Sequence, residues 1–350
     1  MSRPTIGDIA AKAGVSIGAV SFALNGRSGV SDATRARILL IAQEMGWRPH
    51  SAARALGGAK AGMVGLVSAR PARTLGVEPF FAQLVSGLQA GLSTRGVGLQ
   101  LLIVEDLAAE VDIYRKWHSE HHVDGVVLFD LRSHDPRVAE LERSTLPCVV
   151  LGPGKHPSLP NVWADDRAAM LRVVEYLAAL GHRRIAHVAG LPELWHTQRR
   201  IRALRDAAGR LELLDATSAA TDFSDAEGAA VTRRLLARRP RPSAIVYDSD
   251  VMAVAGLGVA LEMGLSVPGD LSIVAFDDSV LARLMHPALT ALSRDTFALG
   301  ELVATTLLEA IDAAGDAGGA AERSVRAPMP ELVIRESTSP PAGNGIASSN

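Results

Sequence analysis

The sequence predicts two folded parts: a small all-α head of helix-turn-helix type and a large α/β body built on parallel sheets. Three observations carry this. Within the first sixty residues, apolar positions recur at helical spacing and are broken by turn residues. From residue 61 onward, short β-rich apolar runs alternate with amphipathic stretches. Charge divides at the same point. Residues 1–60 carry eight Lys and Arg against three Asp and Glu, a balance of +5; the 350-residue chain stands at −2, so the rest stands at −7. A basic head on an acidic body fits a head that meets a polyanion.

In the head, Thr5 and Asp8 read as a capping box, with Ile6, Ile9, Ala10 and Ala13 following at helical spacing. Gly14 ends this helix and Val15 points inward. Ser16 caps a second helix with Ala19, Val20 and Ala23 or Leu24 inside, ended by the turn pair Asn25-Gly26. Ser31 caps a third, with Ile38, Ile41, Ala42 and Met45 facing in and Gly46 at its end. Two short helices across a tight Gly-containing turn, braced by a third, make a helix-turn-helix unit. The first residues of the second helix then meet base edges. Its outward positions are Ile17, Gly18, Ser21 and Phe22, which carry no amide or guanidinium. Apolar groups there are expected to meet the thymine methyl.

The strings TIGDIAAKAGVSIGAVSFALNG, VSDATRARI and MGWRPHSAARAL resemble the DNA-binding segment of the LacI/GalR family of bacterial regulators. The resemblance implies a dimer on a palindromic double-stranded operator, with contacts from Thr5, Ser16, Ile17, Gly18, Ser21, Phe22, Asn25, Ser31, Thr34 and Arg35. It also implies a hinge over Arg48–Gly57, in which His50, Ala53 and Arg54 contact DNA and Leu56 wedges into the minor groove. Such a wedge unstacks a base step and bends the duplex. Many members carry Arg where Phe22 stands, a polar residue at Gly18 and Asn at His50.

Candidate strands in the body are Met63–Ser68, Leu99–Val104, Gly125–Phe129, Cys148–Leu151, Ile185–Ala189, Ala244–Tyr247 and Ser272–Phe276. Candidate helices lie near Phe80–Thr94, Ala108–His121, Asp166–Leu180, Gln198–Ala208, Asp225–Arg238, Val251–Met263 and Phe297–Ala313. Alternation of near-continuous apolar strands with helices predicts parallel sheets covered on both faces, and the strand number predicts two of them. Ligands bind such sheets at strand C-terminal ends, which places a cleft between the two.

The same resemblance runs on through Pro79-Phe80-Phe81, Val123-Asp124-Gly125-Val126, Gly181-His182-Arg183-Arg184-Ile185, Val267-Pro268-Gly269-Asp270 and Phe276-Asp277-Asp278. It implies a periplasmic-binding-protein-like effector domain of two parallel-sheet subdomains. The expected organisation is residues 1–46 as the helix-turn-helix domain and 47–60 as hinge helix and linker. Residues 61–336 form the effector and dimerisation domain, with crossings near 162–164, 290–293 and 322–326, and 337–350 form a disordered tail. Matching positions give the effector site: Phe80 or Phe81 and Phe223 as apolar faces, Arg200 and Asp277 as a charged pair, Asp165 or Asp166, and Ser249 with Asp250. Ser249 stands where relatives often have Asn. After the first strand, where they have Asp, the chain reads Ser68-Ala69-Arg70. A carboxylate, a guanidinium and aromatic faces suit a sugar or related polyol.

Other chemistry is poorly served. One cysteine, Cys148, makes no internal disulfide and fits a reducing compartment. The N-terminus has no apolar signal segment and no run spans a bilayer, so the expected place is the cytoplasm, without a membrane partner. His118, His121 and His122 have metal-compatible spacing but no completing ligand on the same helix. The sequence holds neither a phosphate-binding G-x-x-x-x-G-K-[ST] loop nor a G-x-S-x-G elbow. Neither cofactor nor metal is expected. The alternative to a regulator is a sugar-binding module or enzyme with a vestigial head, against which stands the intact head and hinge.

Overall fold

The computed structural model describes residues 4–24, 27–47, 60–152, 156, 158–315 and 324–342. The chain divides into a head, residues 1–61, and a body that takes nearly all the rest.

Among the described residues the head holds three helices: α1 (Ile6–Ala13), α2 (Ile17–Leu24) and α3 (Asp32–Glu44). Both bonds of the predicted capping box are present, and Thr5 N and then Thr5 Oγ1, each donating to the Asp8 carboxylate, hold that carboxyl below its usual range. Gly14 closes α1 in the left-handed region at φ 64°, which a residue without Cβ adopts at no steric cost. The chain then turns so that α1 and α2 meet at 105°, within the range of helix-turn-helix units. Ile9, Val20 and Ile38, one from each helix, are fully buried at the centre.

The body is built on two six-stranded sheets. The first has the order β11-β5-β4-β3-β1-β2 and the second β12-β10-β9-β8-β6-β7. The first comprises β1 (Met63–Ser68), β2 (Gly98–Ile103), β3 (Gly125–Leu128), β4 (Cys148–Gly152), β5 (Asn161–Trp163) and β11 (Ser324–Arg326), all parallel. The second comprises β6 (Arg184–Ala189), β7 (Asp215–Ala220), β8 (Ala244–Tyr247), β9 (Ser272–Ala275), β10 (Thr290–Ser293) and β12 (Glu331–Val333). Only β12 is antiparallel there. Strands β3, β8 and β9 are buried at every residue, as expected of strands covered on both faces.

Helices α4 (Ala72–Val77), α5 (Pro79–Ser93), α6 (Leu107–Ser119), α7 (Pro136–Arg143) and α13 (Thr296–Gly315) accompany the first sheet. Helices α8 (Asp166–Ala179), α9 (Trp195–Arg210), α10 (Asp225–Leu236), α11 (Asp250–Glu262) and α12 (Val280–Leu284) accompany the second. Helices α5 and α13 cross closely, because a Cβ at Gly87 or Gly300 would overlap backbone of the opposite helix. The chain passes between sheets after β5, after β10 and between β11 and β12, each just beyond the expected stretch.

Two expectations need correction. Twelve strands stand among the described residues where seven were expected. The tail does not become disordered at Ser337. That residue is fully buried, its hydroxyl donating to the Ile273 carbonyl at 2.6 Å and accepting from Thr290 N at 2.8 Å. Ser339 N donates to Ser272 Oγ at 3.1 Å. These bonds satisfy backbone groups beside β9 and β10, which explains why a polar segment stays on the sheet.

Candidate functional site: a DNA-facing head and a charged cleft

On the head, Ile17 is 61% exposed and Phe22 41%, large values for apolar side chains beside a packed core. Gly18 between them is exposed. Several expected contact residues do local structural work. Thr5 caps α1, Ser16 Oγ accepts from Ala19 N at 3.2 Å, and Ser31 caps α3 with its hydroxyl 2.9 Å from Thr34 Oγ1. Arg35 is the clearest departure: its guanidinium donates to the Ala23 and Arg27 carbonyls at 3.3 and 2.6 Å, so it ties down the turn after α2. Phe22 lies against Gly29 and covers the same turn. Asn25, His50, Ala53, Arg54 and Leu56 lie outside the described residues.

In the body, the strand ends of the two sheets face each other across a cleft of about 730 Å³, its open mouth included. Of the expected residues, Phe80, Asp166, Arg200, Phe223 and Asp277 line it. The others stand elsewhere. Phe81 is buried in the core of the first subdomain, its ring 5.8 Å from Phe129. Asp165 caps α8 and faces Arg326 at 3.4 Å. Ser249 is spent as the cap of α11, accepting from Met252 N at 3.3 Å. Asp250 is buried behind the wall, where burial and then Asp277 push its carboxyl up to about 6. The charged and polar wall residues beyond the expected contacts are Arg70, noted in the sequence only as a departure, with Glu78, Asp130, His196, Asp248 and Arg294.

The expected pairing of Arg200 with Asp277 is replaced by two separate groups. Arg200 meets Asp166 at 2.6 Å and Asp248 at 3.1 Å, and stacks over Phe276 at 3.9 Å. Asp248 also takes His187 Nε2 at 2.9 Å and Gly190 N at 2.9 Å. Burial alone would raise both carboxyls; for Asp248 the partners His187 and Arg200 outweigh it, for Asp166 mainly Arg200 does, and both are held below the usual range. Asp277 instead pairs with Arg294 at 2.6 Å, whose guanidinium lies 4.8 Å from the Phe80 ring centre. On the opposite wall Arg70 meets Glu78 at 2.9 Å and Asp130 at 3.5 Å. Burial outweighs the Arg70 charge at Glu78 and raises its carboxyl. Burial, and next the Arg200 charge, lower the His196 imidazole, which is therefore neutral at pH 7 and keeps one donor and one acceptor.

Two wall residues hold backbone that side chains rarely adopt: Asp130 at φ 54° and Phe223 at φ 69°. For a bulky residue this costs of order 1–3 kcal/mol and marks a position the surroundings enforce. Phe223 N is held by Thr221 Oγ1 at 3.2 Å, and its ring fills the space where a Cβ at residue 190 would stand. Gly190 is thus required by the ring it faces.

A helix-turn-helix head in one chain with a two-subdomain binding-protein-like body defines the class: a DNA-binding transcriptional regulator. Residues 5–50 match the model of the bacterial regulatory proteins of the lacI family, and residues 174–338 match that of a periplasmic binding protein-like domain. The chain is 33% identical over 316 residues to the HTH-type transcriptional regulator CelR of Thermobifida fusca, covering 88% of this chain and 92% of that one. The structure of a transcriptional regulator CelR–cellobiose complex superposes with a TM-score of 0.70 at 30% identity, over 96% of this chain and 100% of that one. The lac repressor dimer bound to operator shares the fold, with a TM-score of 0.79 at 23% identity over 97% and 100% of the two chains. The chain belongs to the LacI family of transcriptional regulators.

Proposed function

We propose that this regulator is a repressor whose affinity for a palindromic operator is set by a sugar or related polyol bound in the cleft, and that it acts as a cytoplasmic homodimer. The observation that carries the effector reading is the make-up of the walls. Among the described residues, five carboxylates and three guanidiniums line the cleft, with Phe80 and Phe223 among them. The excess of carboxylates favours a ligand rich in hydroxyl donors over one that brings its own negative charge. The named binding of cellobiose by the CelR neighbour supports the same class.

Phe80, Asp166, Arg200, Phe223 and Asp277 act as effector contacts in this reading, joined by Arg70, Asp130, His196, Asp248 and Arg294. The head supplies operator contacts through Ile17, Gly18, Ser21 and Phe22, and the hinge supplies them through Leu56. Effector binding in the cleft changes the angle between subdomains, and with it the approach of the two hinges in a dimer.

The test is selection of bound duplexes from a random library, repeated with cellobiose and a panel of other neutral and phosphorylated sugars. The expected outcome is an inverted repeat whose binding is weakened by a neutral sugar. Recovery of no enriched duplex would sink the operator reading. Response only to phosphorylated sugars would sink the effector class.

A further inference from the structure

The two walls of the cleft already touch, on the side away from the crossings. The crossing strands β5 and β11 lie at one end of the first sheet, and β10 and β12 at one end of the second. The loops after β3 and β6 start further along each sheet and meet. Trp195 N donates to the Leu131 carbonyl at 2.8 Å, and Arg132 and Leu194 form an isolated antiparallel bridge. Arg132 and Glu193 are paired at 3.4 Å, and Trp195 Nε1 donates to Ser133 Oγ at 3.2 Å. Trp195 belongs to the second subdomain, yet its side chain packs on the core cluster of the first, which includes Leu128, Leu131 and Leu159. A second contact spans the cleft, where Arg70 of the first subdomain lies 4.9 Å from the ring centre of Phe223 in the second.

Trp195 is the first residue of α9, and the cleft residues His196 and Arg200 follow on the same helix. A helix is stiff over this length. An anchor on its first residue therefore places the two that follow. We propose that Trp195 is a positioning residue: it latches the start of α9 to the opposite subdomain, so that the cleft is held closed, with His196 and Arg200 in place, before any effector enters. The effector then binds a site whose walls are already apposed, through its open mouth. The main-chain bond and bridge give the latch a fixed register, and the indole gives it apolar hold. The half-exposed Arg132–Glu193 pair and the Trp195 Nε1–Ser133 Oγ bond hold the latch from its surface side.

The inference rests on the cleft being the effector site, but its test uses no effector, so a sugar that fails to bind does not bear on it. Cysteines are introduced by Ala139→Cys on α7 and Ala226→Cys on α10, both exposed. The native Cys148 is buried, which pushes its thiol up to about 12 and leaves it unreactive toward labels. Spin labels at the two sites report the separation of the subdomains in the full chain. In dimers diluted with excess unlabelled chain, a single narrow distance is expected in the parent, and a longer, broader distribution in Trp195→Ala. Trp195→Phe keeps a ring on the apolar cluster and should stay close to the parent. Far-ultraviolet circular dichroism and a cooperative urea transition of the same samples show that each is folded. Should Trp195→Ala fail to fold, Ser133→Ala combined with Glu193→Ala loosens the latch from its surface side and should broaden the distribution. A distribution unchanged by Trp195→Ala, or by the double variant in its place, overturns the latch.

Discussion

Replacing Arg200 by Met tests whether the charge node of the cleft is held together as the geometry implies. The methionine keeps much of the apolar stem and removes the guanidinium that meets Asp166 at 2.6 Å and Asp248 at 3.1 Å. Both carboxylates are buried, and Asp248 keeps His187 and the Gly190 N–H while Asp166 loses its main partner. A buried unpaired carboxylate takes up a proton. Holding one neutral at pH 7 against an ordinary value near 3.9 costs ~4 kcal/mol, at ~1.36 kcal/mol per pH unit. That agrees with the ~3–5 kcal/mol typical of breaking a buried pair from one side. The sign follows from proton counts. In the parent, Asp166 and Asp248 have depressed values, so their contribution is present above the unfolded value and is lost only as pH falls through the folded one. In the variant Asp166 is raised, the folded state holds a proton that the unfolded state lacks, and stability declines as pH rises above ~4. Urea unfolding followed by tryptophan emission should therefore show a deficit of ~4 kcal/mol at pH 7 shrinking to ~1.5 kcal/mol at pH 5. A deficit below ~1 kcal/mol at pH 7, or one equal at both pH values, would refute the argument.

Three further outcomes are expected. Gly190→Ala puts a methyl into the space of the Phe223 ring, and should abolish the effect of an active sugar on operator binding while leaving the affinity without sugar within about twofold; a normal induction curve removes Phe223 from the site. Operator affinity, measured by anisotropy, should fall steeply and linearly on a log–log plot with added salt, through counterion release by the basic head; a flat plot contradicts phosphate contacts there. Deoxyuridine in place of a half-site thymine deletes one methyl and should weaken binding by ~1 kcal/mol or more at one position at least, since Ile17 offers only apolar contact; the idea fails if every thymine tolerates the change and Ile17→Ala binds normally.

Most of the fold was legible because the central strands are apolar on both faces and bounded by turns. Met63–Ser68 and Ala244–Tyr247 have the ends their sequences predict, and the other expected strands agree within a residue or so. The strands that were not legible are short or at the sheet edges. Asn161–Trp163, Thr290–Ser293, Ser324–Arg326 and Glu331–Val333 have three or four residues each, too few for an alternation to register. Asp215–Ala220, with the sequence DATSAA, has almost no β-forming side chain and is a strand because β6 supplies its hydrogen bonds. In the loop after β8 the sequence pointed to the right place and the wrong residue. A serine followed by Asp looked like a ligand pair, but the start of α11 takes the Ser249 hydroxyl as its cap. The inward position then falls to Asp248, one residue earlier. Side-chain direction at a helix start is set by the cap, and periodicity does not see it.

Arg70 shows what a departure from relatives' pattern does when the neighbours change with it. A guanidinium in place of the expected carboxylate inverts the charge at the end of β1, in a cleft wall where the residue is nearly fully buried. Alone it would be costly, since a buried charge needs a partner. Glu78, at the start of α5, and Asp130, after β3, supply two carboxylates, and α4 between them and β1 is short enough to bring Glu78 back within 2.9 Å. Asp130 reaches this position only through its left-handed backbone at φ 54°. The group is charge-compensated yet incompletely bonded: Arg70 Nε and Asp130 Oδ2 are buried without a hydrogen bond among the described residues, and Asp130 Oδ2 stands 3.5 Å from Arg70 Nη1. Both atoms are closed off from solvent, so a ligand hydroxyl could accept from the first and donate to the second only after the Arg70–Glu78–Asp130 group shifts. In the effector reading proposed above, the position that breaks the relatives' pattern would meet a polyol with opposite polarity. The consequence is that this wall should rank sugars differently from relatives that keep the aspartate.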